Sequence, residues 1–375
     1  LDSQIDAECP DDSLPELLPP TRGVVPALIG AAPAQVRAWF DRAVDASAPI
    51  LDGTLASERD AADIYRRMAK AENTRRAYRA AIRVWCDWCA RHDLPPLPAT
   101  GQDVAAFLAG ERGRNLLPQT LKLRRAAIRY LHRAAGCPVP TDDICVSETL
   151  AGINRDAARK GQQPRKKVAA TATILHRLIA PIPGDLRGLR DRAVLLVGFA
   201  GALRRSELAA VRFEHLEKTE RGIRLTLPHS KGDQTNSVMV PLPYGDTELC
   251  PVHALERWQR AAGLTDGAVF RRIWLPPRAT TASTAEPPPL PRIGTAAITP
   301  QTVAQIVQLR AMAAGFGRRD LGGHSLKRGA LTTGMDRGVH PAKLKRLGRH
   351  KSFDVLGEYL EFGDLFEGHP LSGVL

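Results

Sequence analysis

Gly348-Arg349-His350-Lys351-Ser352-Phe353-Asp354-Val355-Leu356-Gly357-Glu358-Tyr359 sets a histidine nine residues ahead of a tyrosine, in a stretch that reads as a helix. Two further boxes lie upstream, Ala202-Leu203-Arg204-Arg205-Ser206-Glu207-Leu208 and Gly323-His324-Ser325-Leu326-Lys327-Arg328-Gly329. Between them, two alternating apolar runs, Ile223/Leu225/Leu227 and Val238/Val240/Leu242, flank the polar turn His229-Ser230-Lys231-Gly232-Asp233, which predicts a β-hairpin carrying Lys231. The order along the chain is thus an arginine box, a hairpin lysine, a His-x-x-basic box, a second histidine and a tyrosine. Each part alone has a bland reading. Arg204-x-x-Glu207 could be a helix salt bridge, and Lys231 an ordinary turn residue. A tyrosine on an apolar helix is most often core, and Tyr65, Tyr78, Tyr130 and Tyr244 are expected to be core or surface residues. His340 and His369 fit no pattern and are expected in solvent.

The chain has 375 residues, room for two domains of ordinary size. Its formal net charge of +13 favours polyanionic partners, nucleic acid being the common case, although a merely soluble basic protein has the same balance. No run of about 18 apolar residues is present to span a bilayer. Asp2, Asp6, Glu8, Asp11, Asp12 and Glu16 fill the first twenty residues without a base, the opposite of a secretory leader. The chain opens on Leu1, so the start is either non-standard or incomplete. Six cysteines include a C-x-x-C at Cys86 and Cys89, inside a helical, Trp-rich pattern with no second C-x-x-C or His pair. Structural thiols in a reduced, cytoplasmic protein are the simplest reading, with no metal site.

Residues 1–56 are acidic, then Pro- and Ala-rich, and read as a loosely ordered extension apart from a short helix around 35–44. A helical domain is expected over 57–156. Its helix over 73–91 has Tyr78, Ile82, Trp85 and Cys89 at helical spacing, with Arg75, Arg79 and Arg83 in a row on another face. A helix over 120–135 repeats the design, setting Lys122, Arg125, Arg129 and Arg133 beside Leu123, Ala127 and Leu131. Such stripes are usually solvated faces. Two of them, joined by a short helix over 103–108, make a clamp for a phosphate backbone. Residues 157–169 have a linker composition with five basic residues, among them Lys160, Arg165, Lys166 and Lys167, suited to crossing DNA. A second domain over 170–375 is expected to be helical with a small β-sheet, a buried helix over 189–199 and a Pro/Thr/Ala-rich surface loop over 276–299.

These residue types suit attack on a phosphodiester. A phenol is a weak nucleophile at neutral pH and needs activating neighbours. Guanidinium groups match two phosphate oxygens at once, histidines donate hydrogen bonds or move protons, and a lysine on a mobile hairpin can protonate a leaving oxygen. Cationic side chains can take the place that Mg²⁺ holds in other phosphoryl-transfer sites, so no cofactor is called for.

The boxes resemble those of the tyrosine recombinase (phage integrase) family over about residues 185–363, and the N-terminal layout resembles the SAM-like core-binding domain of its two-domain members. The resemblance implies a site-specific DNA recombinase that cuts and rejoins strands through a 3′-phosphotyrosine and a Holliday junction, without metal or ATP. It implies that Arg204 binds the scissile phosphate and Glu207 supports it, that Lys231 is the general acid, that His324 and His350 assist, and that Tyr359 is the nucleophile. It also implies a clamp around an inverted-repeat duplex, a homodimer on each site, a homotetramer in synapsis, and a cytoplasmic, nucleoid-associated location. The apolar tail after Tyr359, with Phe362, Leu365, Phe366 and Leu371, is expected to dock into a neighbouring protomer.

One position departs from the pattern. The family's second arginine falls on Lys327, which keeps the charge and loses the bidentate fork. Lys327 is expected on the scissile phosphate, with Arg328, about 100° round the helix, as a further DNA contact. The alternatives are a catalytically weakened or inactive DNA-binding protein of the same fold, and a telomere-resolvase or type IB topoisomerase activity.

Overall fold

The computed structural model describes residues 26–46, 48–162, 167–228, 237–274 and 291–359. The chain divides into two compact units, Leu1–Arg165 and Lys166–Leu375.

The first unit is helical: α1 (Pro33–Ala43), α2 (Leu55–Met68), α3 (Glu72–Arg91), α4 (Gly101–Gly113), α5 (Pro118–Ala134) and α6 (Ile144–Arg159). The expected period of α3 is realised, with Tyr78, Ile82, Trp85 and Cys89 all buried. The Trp85 indole stacks on Trp88 at 5.5 Å and meets Phe107 of α4 edge-on at 5.1 Å, while its Nε1 donates to Pro96 O at 3.3 Å. Helix α4 is longer than the 103–108 expected, because Thr100 caps it and Asp103 answers on the Thr100 N–H. Cys86 and Cys89 are buried core thiols on successive turns. Burial, with Asp87 nearby, pushes Cys86 up to about 12.

Two boundaries differ from the sequence expectation. Helix α1 does not float in a loose extension: Val36 and Phe40, four residues apart, are fully buried in the core of α3 and α5, with Leu28 and Val44 beside them. The ordered fold therefore begins well before residue 57. At the other end α6 runs through Arg159, so the expected linker starts as helix.

The second unit holds α7 (Ala172–Ile179), α8 (Leu186–Ala200), α9 (Arg205–Ala209), β1 (Leu216–Thr219), β2 (Gly222–Leu227), β3 (Val238–Pro243), α10 (Pro251–Ala262), β4 (Arg271–Trp274), β5 (Arg292–Ala297), α11 (Pro300–Ala313), α12 (Ser325–Asp336), α13 (Pro341–Gly348) and α14 (Phe353–Tyr359). Strands β1, β2 and β3 form one antiparallel sheet in which Ile223 faces Leu242 and Leu225 faces Val240, as the alternation implied. The turn with Lys231 lies outside the described residues. A second antiparallel pair, β4–β5, corrects the reading of 276–299 as loop throughout: residues 292–297 pair with 271–274 across a long sequence gap, and no local alternation announces them. Helix α8 is the centre of the core, with Ala193 to Val197 buried on every side. A Cβ on Gly198 would meet Leu208 of α9 and Leu326 of α12 at 2.9 Å each. That glycine is what lets α8, α9 and α12 converge.

Candidate active site

The convergence of those helices decides where the charges go. After α8 the chain turns through Ala202, held at φ 44°, and Arg204 becomes the N-cap residue of the short helix α9. Glu207, three residues on, accepts from the Arg204 backbone N–H at 2.9 Å through Oε2 and from Arg204 Nη1 at 2.7 Å through Oε1. Both side chains are almost wholly buried.

A second guanidinium reaches the same carboxylate. Arg349 caps α13 in the left-handed region, φ 54°. Its Nη2 donates to Glu207 Oε2 at 2.8 Å and to Ala202 O at 2.6 Å, and its Nη1 donates to Gly201 O at 3.1 Å and Leu347 O at 2.8 Å. Burial pushes the Glu207 carboxyl up, but Arg349 and Arg204 together outweigh it and hold the group below its ordinary value. The carboxylate is therefore charged at neutral pH and shared by two cations.

His350 follows directly and is also buried, at 7% exposure. Its ring lies over Gly348, where a Cβ would meet the imidazole at 2.4 Å, so no side chain fits at 348 without moving the ring. Burial first, then Lys327, Arg204 and Arg349, depress His350 to about 3. It is a neutral imidazole at physiological pH. The same electrostatic neighbours show that His350, Lys327, Arg204, Arg349 and Glu207 form one cluster.

Lys327 sits on the first turn of α12, whose N-cap residue is the half-buried His324. The sequence leads one to expect Lys327 on the scissile phosphate, and the structure shows where its side chain is seated within the chain. The side chain is completely buried, and Nζ donates to Gly348 O beneath His350. Arg328, expected as a further DNA contact, is 7% exposed, and its guanidinium donates to Lys167 O. Lys167 Nζ in turn donates to Arg319 O at 2.9 Å, and Val168 N–H to Asp320 O at 2.8 Å. The end of the basic linker is thus stitched to the segment leading into α12. Gly329 permits this, since a Cβ there would strike Ala170 O at 1.9 Å.

Tyr359 is the last residue of α14, one turn beyond Leu356. Leu356 is buried against Leu331 of α12 and Leu344 of α13, which pins the helix to the same pair of elements that carry Lys327 and the His350 turn. Of the expected catalytic set, the structure brings Arg204, Glu207, Lys327 and His350 together, with His324 one turn from Lys327. Lys231 lies outside the described residues. Arg349 was missed, because nothing local marks it; the one available signal was a buried acid in a cationic site with room for a second base.

The basic stripes of the first unit are partly committed within the chain. Arg75 pairs with Glu72 at 2.6 Å, and Arg79 with Asp45 at 3.3 Å and Glu72 at 3.8 Å, while Arg83 is exposed. Arg129 pairs with Asp142, Arg125 donates to Thr141 O at 3.4 Å, and Lys160 pairs with Asp156 at 2.9 Å. Lys122 is exposed and Arg133 half-buried. Arg165 and Lys166 lie outside the described residues.

Residues 63–136 match the phage integrase N-terminal SAM-like domain. An integrase/recombinase XerD homologue of Selenomonas ruminantium is 31% identical over 311 residues, covering 81% of this chain and 86% of its own length. The Cre recombinase of Escherichia phage P1 is 26% identical over 210 residues, 54% of this chain and 60% of its own. Among solved structures, the Tn1549 transposon integrase in complex with transposon right end DNA superposes with a TM-score of 0.58 at 14% identity, covering 84% of this chain and 96% of that one. The XerH site-specific recombinase, in a post-cleavage complex with its palindromic difH substrate, gives 0.56 at 13% identity, covering 92% and 98%. The last two likenesses are likenesses of fold.

Proposed function

The chain belongs to the tyrosine recombinase family of DNA strand-exchange enzymes, and from that premise we propose how its own residues divide the work. The Tyr359 phenol attacks the phosphorus of a DNA phosphodiester, forming a 3′-phosphotyrosine as the bond to the 5′-oxygen breaks. Lys231, which lies between β2 and β3 in sequence, gives that oxygen its proton. Arg204 faces the non-bridging oxygens, with its plane held by Glu207, and His324 and His350, the latter from a neutral ring, donate hydrogen bonds as charge builds on the phosphate. Reversal by a 5′-hydroxyl of a second strand reseals the backbone with no outside energy source, because the phosphotyrosine stores the bond.

One observation carries this reading. Two guanidinium groups share a single buried carboxylate, with an ammonium and an imidazole beside them, leaving an excess of positive charge for which a phosphodiester anion would be the natural counter-ion. Lys327 fits it in a modified role: seated on Gly348 O, it supplies charge and fixes the turn that carries His350, rather than clasping phosphate as an arginine fork would.

The DNA partner is read as a duplex with inverted-repeat half-sites, bound by a homodimer and synapsed as a homotetramer on cellular DNA in the cytoplasm. The exposed stripe members Arg83 and Lys122 are free to meet the backbone, and the linker bases, Arg133 and the partly paired Arg75, Arg79, Arg125 and Arg129 can join them by exchanging carboxylates for phosphates. Helix α2 supports self-assembly, since it buries little beyond Ala61 and Asp63 and leaves Leu55, Tyr65 and Met68 exposed. The test is exchange between two linear duplexes of unequal length bearing sites selected by the protein. Recombinant lengths are expected. Relaxation of supercoiled DNA without recombinants would instead make the chain a topoisomerase.

A further inference from the structure

The strand pair β4–β5 carries a surface that the cleavage chemistry does not use. Arg272 and Trp274 are the two exposed residues of β4, either side of the buried Ile273, and Trp274 pairs in register with Arg292 of β5. The Trp274 ring is 42% exposed, unusual for a large indole. The guanidinium carbons of Arg272 and Arg292 lie 5.1 and 5.5 Å from its centroid. Gly294 on the partner strand makes the arrangement possible, since a Cβ there would meet the indole at 2.9 Å. Both arginines are exposed, and among the described residues neither has a carboxylate partner. The two strands together contain Arg271, Arg272 and Arg292 and no acid.

Its place in the fold sets what it can touch. Arg187 and Arg190 of α8 donate to Ile273 O at 3.4 Å and Arg271 O at 3.3 Å, so β4 is tied to the first half of that helix. The Arg204 box follows the other end. At 1.5 Å per residue the separation along α8 is about 20 Å, beyond the reach of one side chain and about six base-pair steps.

We propose that Arg272, Trp274 and Arg292 form a second DNA contact, a guanidinium–indole–guanidinium platform that grips backbone phosphates of the duplex flanking the cleavage position. This rests on the reading of the chain as a DNA recombinase. An indole face holds a guanidinium by cation–π attraction while its N–H edge stays open, and that edge matches the oxygens of a phosphate. A flexible lysine could not be pre-set in this way. The occupant is a phosphate polymer, because two exposed guanidinium groups held on one face of a sheet, with no carboxylate partner among the described residues, complement a run of fixed anions.

The test measures binding of the full chain to a labelled random-sequence duplex between about 50 and 200 mM salt. Arg272→Ala/Arg292→Ala should lower the slope of log K against log salt by about 1.8, two phosphates' worth, so that the fourfold rise in salt costs wild type about twelvefold more affinity than the variant. Trp274→Ala should fall between them, and Arg272→Lys/Arg292→Lys should regain the slope but not the full affinity. Covalent cleavage of a nicked site at saturating protein should be unchanged in all three, which are surface variants and should melt with wild type. A double-alanine slope equal to wild type overturns the platform and leaves the recombinase reading intact, directing attention to an acidic protein partner. A wild-type chain that fails to bind duplex at all overturns the recombinase reading itself.

Discussion

Arg349 holds four acceptors with one side chain, and one of them, Ala202 O, belongs to strained backbone, as does Arg349 itself. Its own φ of 54° and the 44° of Ala202 are each unfavourable for a residue with a Cβ, by about 1–2 kcal/mol. The fork offsets that cost by donating to Gly201 O and Ala202 O while sharing Glu207 with Arg204. Lysine at 349 would keep the charge but could not serve these acceptors together. We expect Arg349→Lys to slow single-turnover cleavage by about 10²-fold with duplex affinity unchanged within about twofold, checked by rapid-quench adduct formation beside a binding titration. A loss of affinity in step with rate would mean a general structural defect. Arg204 and Glu207 were legible because they sit three residues apart at a helix start, a local pattern. Arg349 was not, since its carboxylate is 142 residues away. At Lys327 the residue type told of a departure from the family arginine, but not that the ammonium would lie buried against Gly348 O, because burial is a property of packing.

Among the elements, helices with a strong apolar row were read from their period, as α3 and α5 show, and α8 from its unbroken apolar run. The misses share a cause. Strands β4 and β5 are joined by a pairing that spans a long gap, and α1 earns its order by inserting Phe40 next to Tyr130 of α5, 6.2 Å between ring centres, a contact no window of sequence contains. Helix α5 also carries a buried histidine with a pH consequence. His132 is fully buried, with Nδ1 donating to Ile128 O at 2.9 Å and Nε2 accepting from the Ala99 N–H at 3.1 Å, a pair of bonds that only the neutral ring can make. Burial, against a smaller opposing effect of the Ile128 carbonyl, depresses it to about 4 from 6.5. The unfolded chain therefore takes up this proton first as pH falls. The stabilisation is complete above about 6.5, declines below it, and is lost by about pH 4, for a total of about 3 kcal/mol. The protection factors of α5 amides, taken against intrinsic exchange at each pH, should fall as pH drops through that window in wild type, and the fall should be absent from a His132→Leu chain. An equal acid response in both would assign the effect to other groups.

At the scale of the whole molecule, the division into two helical units and the excess of positive charge were both open to reading, since composition and linker chemistry are additive properties of the chain. Which bases remain available was not. Many stripe arginines turn out to be paired with Glu72, Asp45 or Asp142, so the surface is less bare than +13 implies. The assembled site lies wholly in the second unit and gathers its residues from α9, α12 and the turn between α13 and α14, with Tyr359 closing α14. The claim at the centre of this account is that Tyr359 becomes covalently joined to DNA without help from a metal ion. The direct measurement is a trap: a site selected by the protein, nicked so that the cleaved fragment diffuses away, incubated in EDTA with wild type and with Tyr359→Phe, then denatured in SDS. Wild type should yield a stable protein–DNA adduct at the 3′-phosphate and Tyr359→Phe none. No adduct from a wild-type chain that binds the site, or an equal adduct from Tyr359→Phe, would contradict the account.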